Sequence, residues 1–186
     1  LTIGDKIKSE LPYRVDLDVR YPTKIDEDFL VKVKSDIEES IRALDINIGA
    51  VHIEFCVDKD KNIYFFEVGA RCGGGATAHP IVSYVTGIDY FLKLIQLLCG
   101  DEIILPANNN QMGCCYHFIN SKKGRLKSLN NNEDLNIEEE ILDFEIFPKI
   151  GEEVVDIKTG LDRLGFIVAG GSTNDEAYQR AISFEK

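Results

Sequence analysis

Apolar and polar residues alternate over residues 49–57 (Gly49-Ala50-Val51-His52-Ile53-Glu54-Phe55-Cys56-Val57) and again over 62–68 (Asn62-Ile63-Tyr64-Phe65-Phe66-Glu67-Val68). A period of two marks a strand with one buried face. The polar stretch Asp58-Lys59-Asp60-Lys61 between them reads as a turn, so the two runs predict a hairpin. Upstream, residues 11–22 also alternate and predict a strand that ends before Pro22, with Arg14, Asp16, Asp18 and Arg20 on one face, toward solvent or toward a cleft. From Asp26 to Leu44 the spacing of Leu30, Val33, Ile37, Ile41 and Leu44 predicts an amphipathic helix capped by Asp26. Residues 77–100 read as helical with a break at Thr86-Gly87, Asp89 capping 90–99 and Gly100 as the stop.

Residues 101–112 read as a polar connector that includes Pro106-Ala107-Asn108-Asn109-Asn110. Beyond it, short strands are predicted at 113–119, 124–129, 142–147 and 165–169. Asn130-Asn131-Asn132 reads as a loop and Gly170-Gly171 as a turn. A final helix starts at Asn174 as cap, with acids in its first turn. The pattern is an α+β protein: an antiparallel sheet with helices packed on it over residues 1–105, then a small strand-rich domain over 113–186.

Chemistry enters at the hairpin. If Asp58 faces Ile63, Glu54 falls opposite Glu67 and both share a face with His52 and Cys56, while Val51, Ile53, Phe55 and Val57 join Tyr64, Phe66 and Val68 on the other. Phe65 would then lie on the glutamate face. Taken alone, such a pair reads as two solvated carboxylates. Like charges directly opposite are destabilising, and a cation between them relieves this. Magnesium, a hard cation, takes carboxylate oxygen. A one-residue slip would put the glutamates on opposite faces.

The segment after Glu67 changes the picture. Glu67-Val68-Gly69-Ala70-Arg71-Cys72-Gly73-Gly74-Gly75 leaves the strand for a glycine-rich loop whose backbone can approach a ligand closely. Arg71 follows Glu67 by four residues, which suits a metal-bound polyphosphate. The loop is neither a Walker loop nor a dinucleotide fingerprint.

The strings at 49–55 and 64–75, then His79-Pro80 and Val85-Thr86-Gly87-Ile88-Asp89, resemble the ATP-grasp superfamily. The branch is the one that holds biotin carboxylase, carbamoyl-phosphate synthase, the purine-pathway ligases and the amino-acid ligases. The resemblance is strongest over 45–100. At the other end, Arg163-Leu164-Gly165-Phe166-Ile167-Val168 followed by Gly170-Gly171 resembles the small C-terminal domain of amino-acid ligases. The resemblance implies the C-terminal subdomain of an ATP-grasp fold. It implies that Glu54 and Glu67 hold Mg2+ (or Mn2+) against ATP phosphates, and that Arg71 is the catalytic cation on phosphate or the acyl phosphate. It further implies a substrate side drawn from His52, Gly73, Gly74 and His79. Many members carry Asn two residues after the second Glu as a further ligand; this chain has Gly69. The lid, two lysines and adenine-hinge strand of the family have no counterpart, so the sequence reads as part of a longer protein whose N-terminal half holds the base.

Composition narrows the partners. The net charge is −11 over 186 residues, which argues against nucleic acid or an anionic membrane as the main partner. There is no apolar run of spanning length and no apparent signal peptide, and the five cysteines show neither Cys-x-x-Cys nor zinc spacing. Reduced thiols and a cytoplasmic protein are the plain expectation, with Cys72 beside the glycine loop read as a buried, inert thiol against the alternative of a reactive one. The expected activity is that of a ligase that activates a small-molecule carboxylate as an acyl phosphate for attack by an amine or thiol, the chain alone being inactive; a homodimer is allowed. The alternatives are a bicarbonate-phosphorylating enzyme like biotin carboxylase or carbamoyl-phosphate synthase, and a non-catalytic metal- or partner-binding module.

Overall fold

The computed structural model describes residues 1–105, 112–129 and 140–185. The connector residues Pro106–Asn110 and the loop Asn130–Asn132 lie outside them. In chain order the strands and α-helices are β1 (Asp5–Lys8), β2 (Asp16–Tyr21), α1 (Glu27–Ala43), β3 (His52–Val57), β4 (Ile63–Gly69), α2 (Ser83–Thr86), α3 (Tyr90–Leu98), β5 (Gly113–Ile119), β6 (Gly124–Arg125), β7 (Ile141–Ile146), β8 (Glu153–Val154), β9 (Gly165–Gly171) and α4 (Asn174–Glu185), with a kinked helical segment at Thr77–Val82 and a 3-10 turn at Gly160–Asp162. This is the mixed α and β architecture with antiparallel sheets that the sequence pattern predicts.

The chain divides into two compact units. One contains residues 1–23, 80–87 and the described residues from 112 on; the other contains 24–79 and 88–105. The sequence reading groups residues 1–23 with the hairpin, whereas β1 and β2 pair into the sheet β1-β2-β5-β9-β7. Local alternation finds β2 but carries no information about its partner strand.

In the first unit β5 is the central strand, and all seven of its residues are buried. A strand covered on both faces loses its polar alternation. Cys115, Ile119, Ile167 and Ala169 meet Ala177 and Ala181 of α4, with Phe144, Tyr178 and Phe184 around them. On β9, Gly170 and Gly171 continue the strand rather than turning. A Cβ at Gly170 would lie 2.4 Å from the Tyr84 ring, and one at Gly171 would lie 2.9 Å from the Ala177 amide. The glycine pair is there for close packing, and the turn read from it is corrected. Helix α4 is capped by Thr173, whose Oγ1 accepts from the Glu176 amide at 3.1 Å. Asn174 is buried and donates to the Pro22 carbonyl at 2.8 Å, so the cap lies one residue earlier than expected.

The charged residues of β2 form no common cleft face. Asp16 is tied to Lys6 and Lys8. Asp18 is buried and bonds His117 of β5, directly opposite it, and Arg20 at 2.9 Å. His117 Nε2 meets Glu185 Oε2 at 3.1 Å at the end of α4, and Arg20 lies 3.5 Å above the Tyr178 ring. Burial favours the neutral imidazole, but the bonds to Asp18 and Glu185 outweigh it and raise the His117 pKa to about 9. Cys114 and Cys115 are fully buried free thiols, and burial pushes Cys114 up to about 12.

In the second unit α1 starts at Asp26, whose carboxylate accepts from the Phe29 amide at 2.9 Å. Its buried residues are Phe29 and Val33, while Leu44 is exposed at the helix end. Asp89 caps α3 through the Leu92 amide, and Gly100 at φ 92° follows it. Among the described residues no single helix is long and apolar enough to cross a membrane.

Candidate functional site

Strands β3 and β4 pair antiparallel with Val57 opposite Ile63, Cys56 opposite Tyr64 and Phe55 opposite Phe65. The register then slips by one residue, and Glu54 stands opposite Glu67, Ile53 opposite Val68 and His52 opposite Gly69. The extra residue is Phe66, 69% exposed. A bulge of this kind places one more residue on one strand than on its partner. The turn is therefore one residue tighter than expected, and the bulge restores the glutamate pairing. It also corrects the faces: Phe65 belongs with Phe55, their rings 6.1 Å apart, and Tyr64 lies across from Cys56 on the other side.

Arg71 returns to Glu67, its Nη2 contacting Oε1, and donates from Nη1 to the Cys72 carbonyl at 3.0 Å. Its amide bonds the Gly69 carbonyl at 2.8 Å. A Cβ on Gly69 would lie 3.2 Å from Arg71 Nε and 3.4 Å from Glu67 Oε1. Glycine here leaves room for the arginine against the glutamate, where a longer side chain would compete for the same space. His52 Nε2 is 3.5 Å from Glu54 Oε1, two residues further along the same strand.

The glycine loop serves two purposes. A Cβ on Gly73 would collide with Thr77 Cγ2 at 2.6 Å and approach His52 Nδ1 to 3.1 Å. Gly74 has nothing within 4 Å of such a Cβ, and Gly75 adopts φ 57°, a left-handed conformation that favours glycine. Thus His52, Gly73 and Thr77 form one contact cluster. His79 is extended at φ −146° and ψ 131°, and its ring stacks on Phe91 at 6.2 Å.

Two contacts had no sequence signal. Thr77 packs at Gly73, and Tyr90 hydrogen-bonds Cys72, the Tyr90 pKa being raised to about 12 by burial and then by that thiol. Cys72 is half-buried rather than buried. Such pairs depend on how the loop returns to α3, which no local spacing encodes.

Among the described residues no three His, Cys, Asp or Glu side chains converge as a ready-made metal cage. Glu54 and Glu67 are two half-exposed carboxylates on one face. Magnesium characteristically takes one or two carboxylates and completes its shell with water and substrate phosphate. The donor set fits such an ion, and Arg71 supplies a phosphate-compatible fork beside it.

Residues 117–185 match the family L-amino acid ligase C-terminal domain 2. Comparison with curated proteins gives no match. Among solved structures, phosphoribosylglycinamide synthetase from Anaerococcus prevotii superposes with a TM-score of 0.82 at 19% identity, over 98% of this chain and 47% of that one. L-amino acid ligase from Bacillus licheniformis gives 0.81 at 23%, over 100% and 46%. The biotin carboxylase domain of Hydrogenobacter thermophilus 2-oxoglutarate carboxylase, solved with MgADP, ADP and bicarbonate, gives 0.60 at 16%, over 90% and 37%. The chain thus spans about half the length of the first two. It has the fold of the C-terminal part of the ATP-grasp ligases, and its residues 117–185 are similar to the C-terminal domain of the L-amino acid ligases.

Proposed function

We propose that this chain is the metal-binding part of an ATP-dependent ligase that forms carbon–nitrogen bonds. The observation that carries the reading is the placement of Glu54 opposite Glu67, with the Arg71 guanidinium on Glu67 at the strand end. A magnesium or manganese ion on the two carboxylates would neutralise the phosphates of ATP. A substrate carboxylate oxygen attacks the γ-phosphorus and ADP departs, leaving an acyl phosphate. An amine nitrogen then attacks the carbonyl carbon, loses a proton and expels phosphate. Glu54 and Glu67 would hold that metal ion. Arg71 leaves Glu67 to accept the charge that grows on the transferred group, a form of preorganised electrostatic stabilisation. His52, held at Gly73, and the loop amides at Gly73 and Gly74 line the acyl side, with His79 on Phe91 beyond them.

The match over residues 117–185 to an amino-acid-ligase domain favours amino acids, or short compounds of like chemistry, over bicarbonate as the carboxylate and amine. The base-binding half, and with it turnover, belongs to a further part of the protein. The α3 face supports this: it has no buried residue and exposes Phe91, Leu92, Ile95 and Leu98. In this reading the protein is cytoplasmic. The test is phosphate release by the intact protein across pairs of amino acids with MgATP. Release that requires both a carboxylate and an amine upholds the ligase. Release with bicarbonate alone, or none with any pair, rejects it.

A further inference from the structure

The first unit has an open surface cavity of about 330 Å³ whose lining includes Lys8, Tyr13, Arg14, Asp16, Lys158 and Arg163. It sits in a chain of net charge −11, yet four of its lining side chains are cations and one is a carboxylate. That carboxylate, Asp16, is already taken by Lys6 at 3.3 Å and by Lys8. The neighbouring Asp162 is turned away to the loop backbone, accepting from the Lys158 and Thr159 amides at 3.0 and 2.7 Å. Lys158 interacts electrostatically with Asp162, and no salt bridge within 4 Å is formed by Arg14 among the described residues.

Arg163 is the anchored member. Its guanidinium lies 3.6 Å over the Phe118 ring and donates to the Asp16 carbonyl at 2.8 Å, while its Nε is buried without a hydrogen-bond partner. Stacking on Phe118 and the bond to the Asp16 carbonyl hold the guanidinium in place at the cavity wall. Arg14 is held at φ 53°, a backbone region that a non-glycine residue enters at a cost. An anchored arginine, an exposed arginine and an exposed lysine around one concavity, with Lys8 held on Asp16, focus positive potential against the acidic background of the chain.

We infer that this cavity is a second anion site, separate in its residues from Glu54, Glu67 and Arg71, that takes a small polyanion carrying at least two phosphate or carboxylate groups. Arg163 and Arg14 supply planar forks for the oxygens, and Lys8 and Lys158 supply point charges at the rim. Tyr13, half-exposed beside them, offers a hydroxyl and a ring edge.

The test is calorimetric titration of the intact protein with pyrophosphate and, separately, with citrate, in metal-stripped buffer. Two variants address the site. Arg14→Gly removes the guanidinium while suiting φ 53°, and Lys158→Ala removes an exposed amine. The expected result is binding at or below millimolar concentration, weakened about fivefold or more by each variant and unchanged in Arg71→Ala. Pyrophosphate without citrate assigns a phosphate-bearing occupant, and both together assign a general polyanion; either upholds the site. No binding of either probe, binding that both variants leave intact, or binding lost only in Arg71→Ala would overturn it. Failure of phosphate release with unaltered pyrophosphate binding would reject the ligase reading alone.

Discussion

Glu54 faces Glu67 across the β3–β4 hairpin even though the strand pairing slips by one residue at their side of Phe55. Two carboxylates held opposite each other repel, and the bulge at Phe66 keeps them together where a regular ladder from the same turn would place Phe66 opposite Glu54. Each carboxylate is therefore expected to matter to turnover more than to folding. Glu54→Gln and Glu67→Gln should each lower kcat of the intact protein by about 100-fold or more, since losing even an outer partner of a metal ligand costs roughly 10- to 100-fold. Steady-state phosphate release with a matched thermal melt would check this. Equal losses in kcat and in melting temperature would point to a structural role instead.

The glycine loop gives a paired prediction. Gly73→Ala drives a methyl into Thr77 and toward His52, and overpacking of this kind costs about 1–3 kcal/mol. Gly74→Ala enters open space and should stay within about 0.5 kcal/mol of the parent. Denaturant melts of the two variants provide the comparison, and a Gly74 effect as large as the Gly73 effect would contradict the contact cluster.

The hairpin, both helix caps at Asp26 and Asp89, and the strands around 113–119 and 165–169 were legible in the sequence because each rests on local alternation or a capping side chain. The partner of β2 was not, because pairing between residues 18 and 117 is a long-range relation. The glutamate pairing was legible while its register was not: two compensating one-residue differences, a tighter turn and a bulge, leave the same residues opposed. Gly170-Gly171 misled because glycine serves turns and close packing alike, and only Tyr84 and α4 distinguish the two.

His117 ties three elements together and gives the fold a pH dependence. Its pKa of about 9 in the folded protein lies above the ordinary 6.5. The stabilisation is therefore complete below pH 6.5 and fades as pH rises through 9, by roughly 3 kcal/mol in all. Asp18, held below the usual carboxylate range by His117 and Arg20 against the opposing effect of burial, adds stability that is lost as pH falls below about 4. Urea melts from pH 6 to 10 should show the alkaline decline in the parent and a flatter profile in His117→Gln. Parallel profiles would remove His117 as its source.

Close packing at the sheet sets a further expectation. Gly170→Ala places a methyl 2.4 Å from the Tyr84 ring and should destabilise by about 1–3 kcal/mol. The double variant with Tyr84→Ala should recover part of that loss, because the ring that blocks the methyl is gone. Additive losses in calorimetric melts would show that the two residues do not share the space.

The most direct measurement is paramagnetic: electron spin resonance of Mn2+ with ADP titrated into the intact protein and into the Glu54→Gln/Glu67→Gln variant. The account predicts a bound-manganese signal in the parent and its loss in the double variant with the fold retained. A signal of equal strength and affinity in both would contradict the shared metal site.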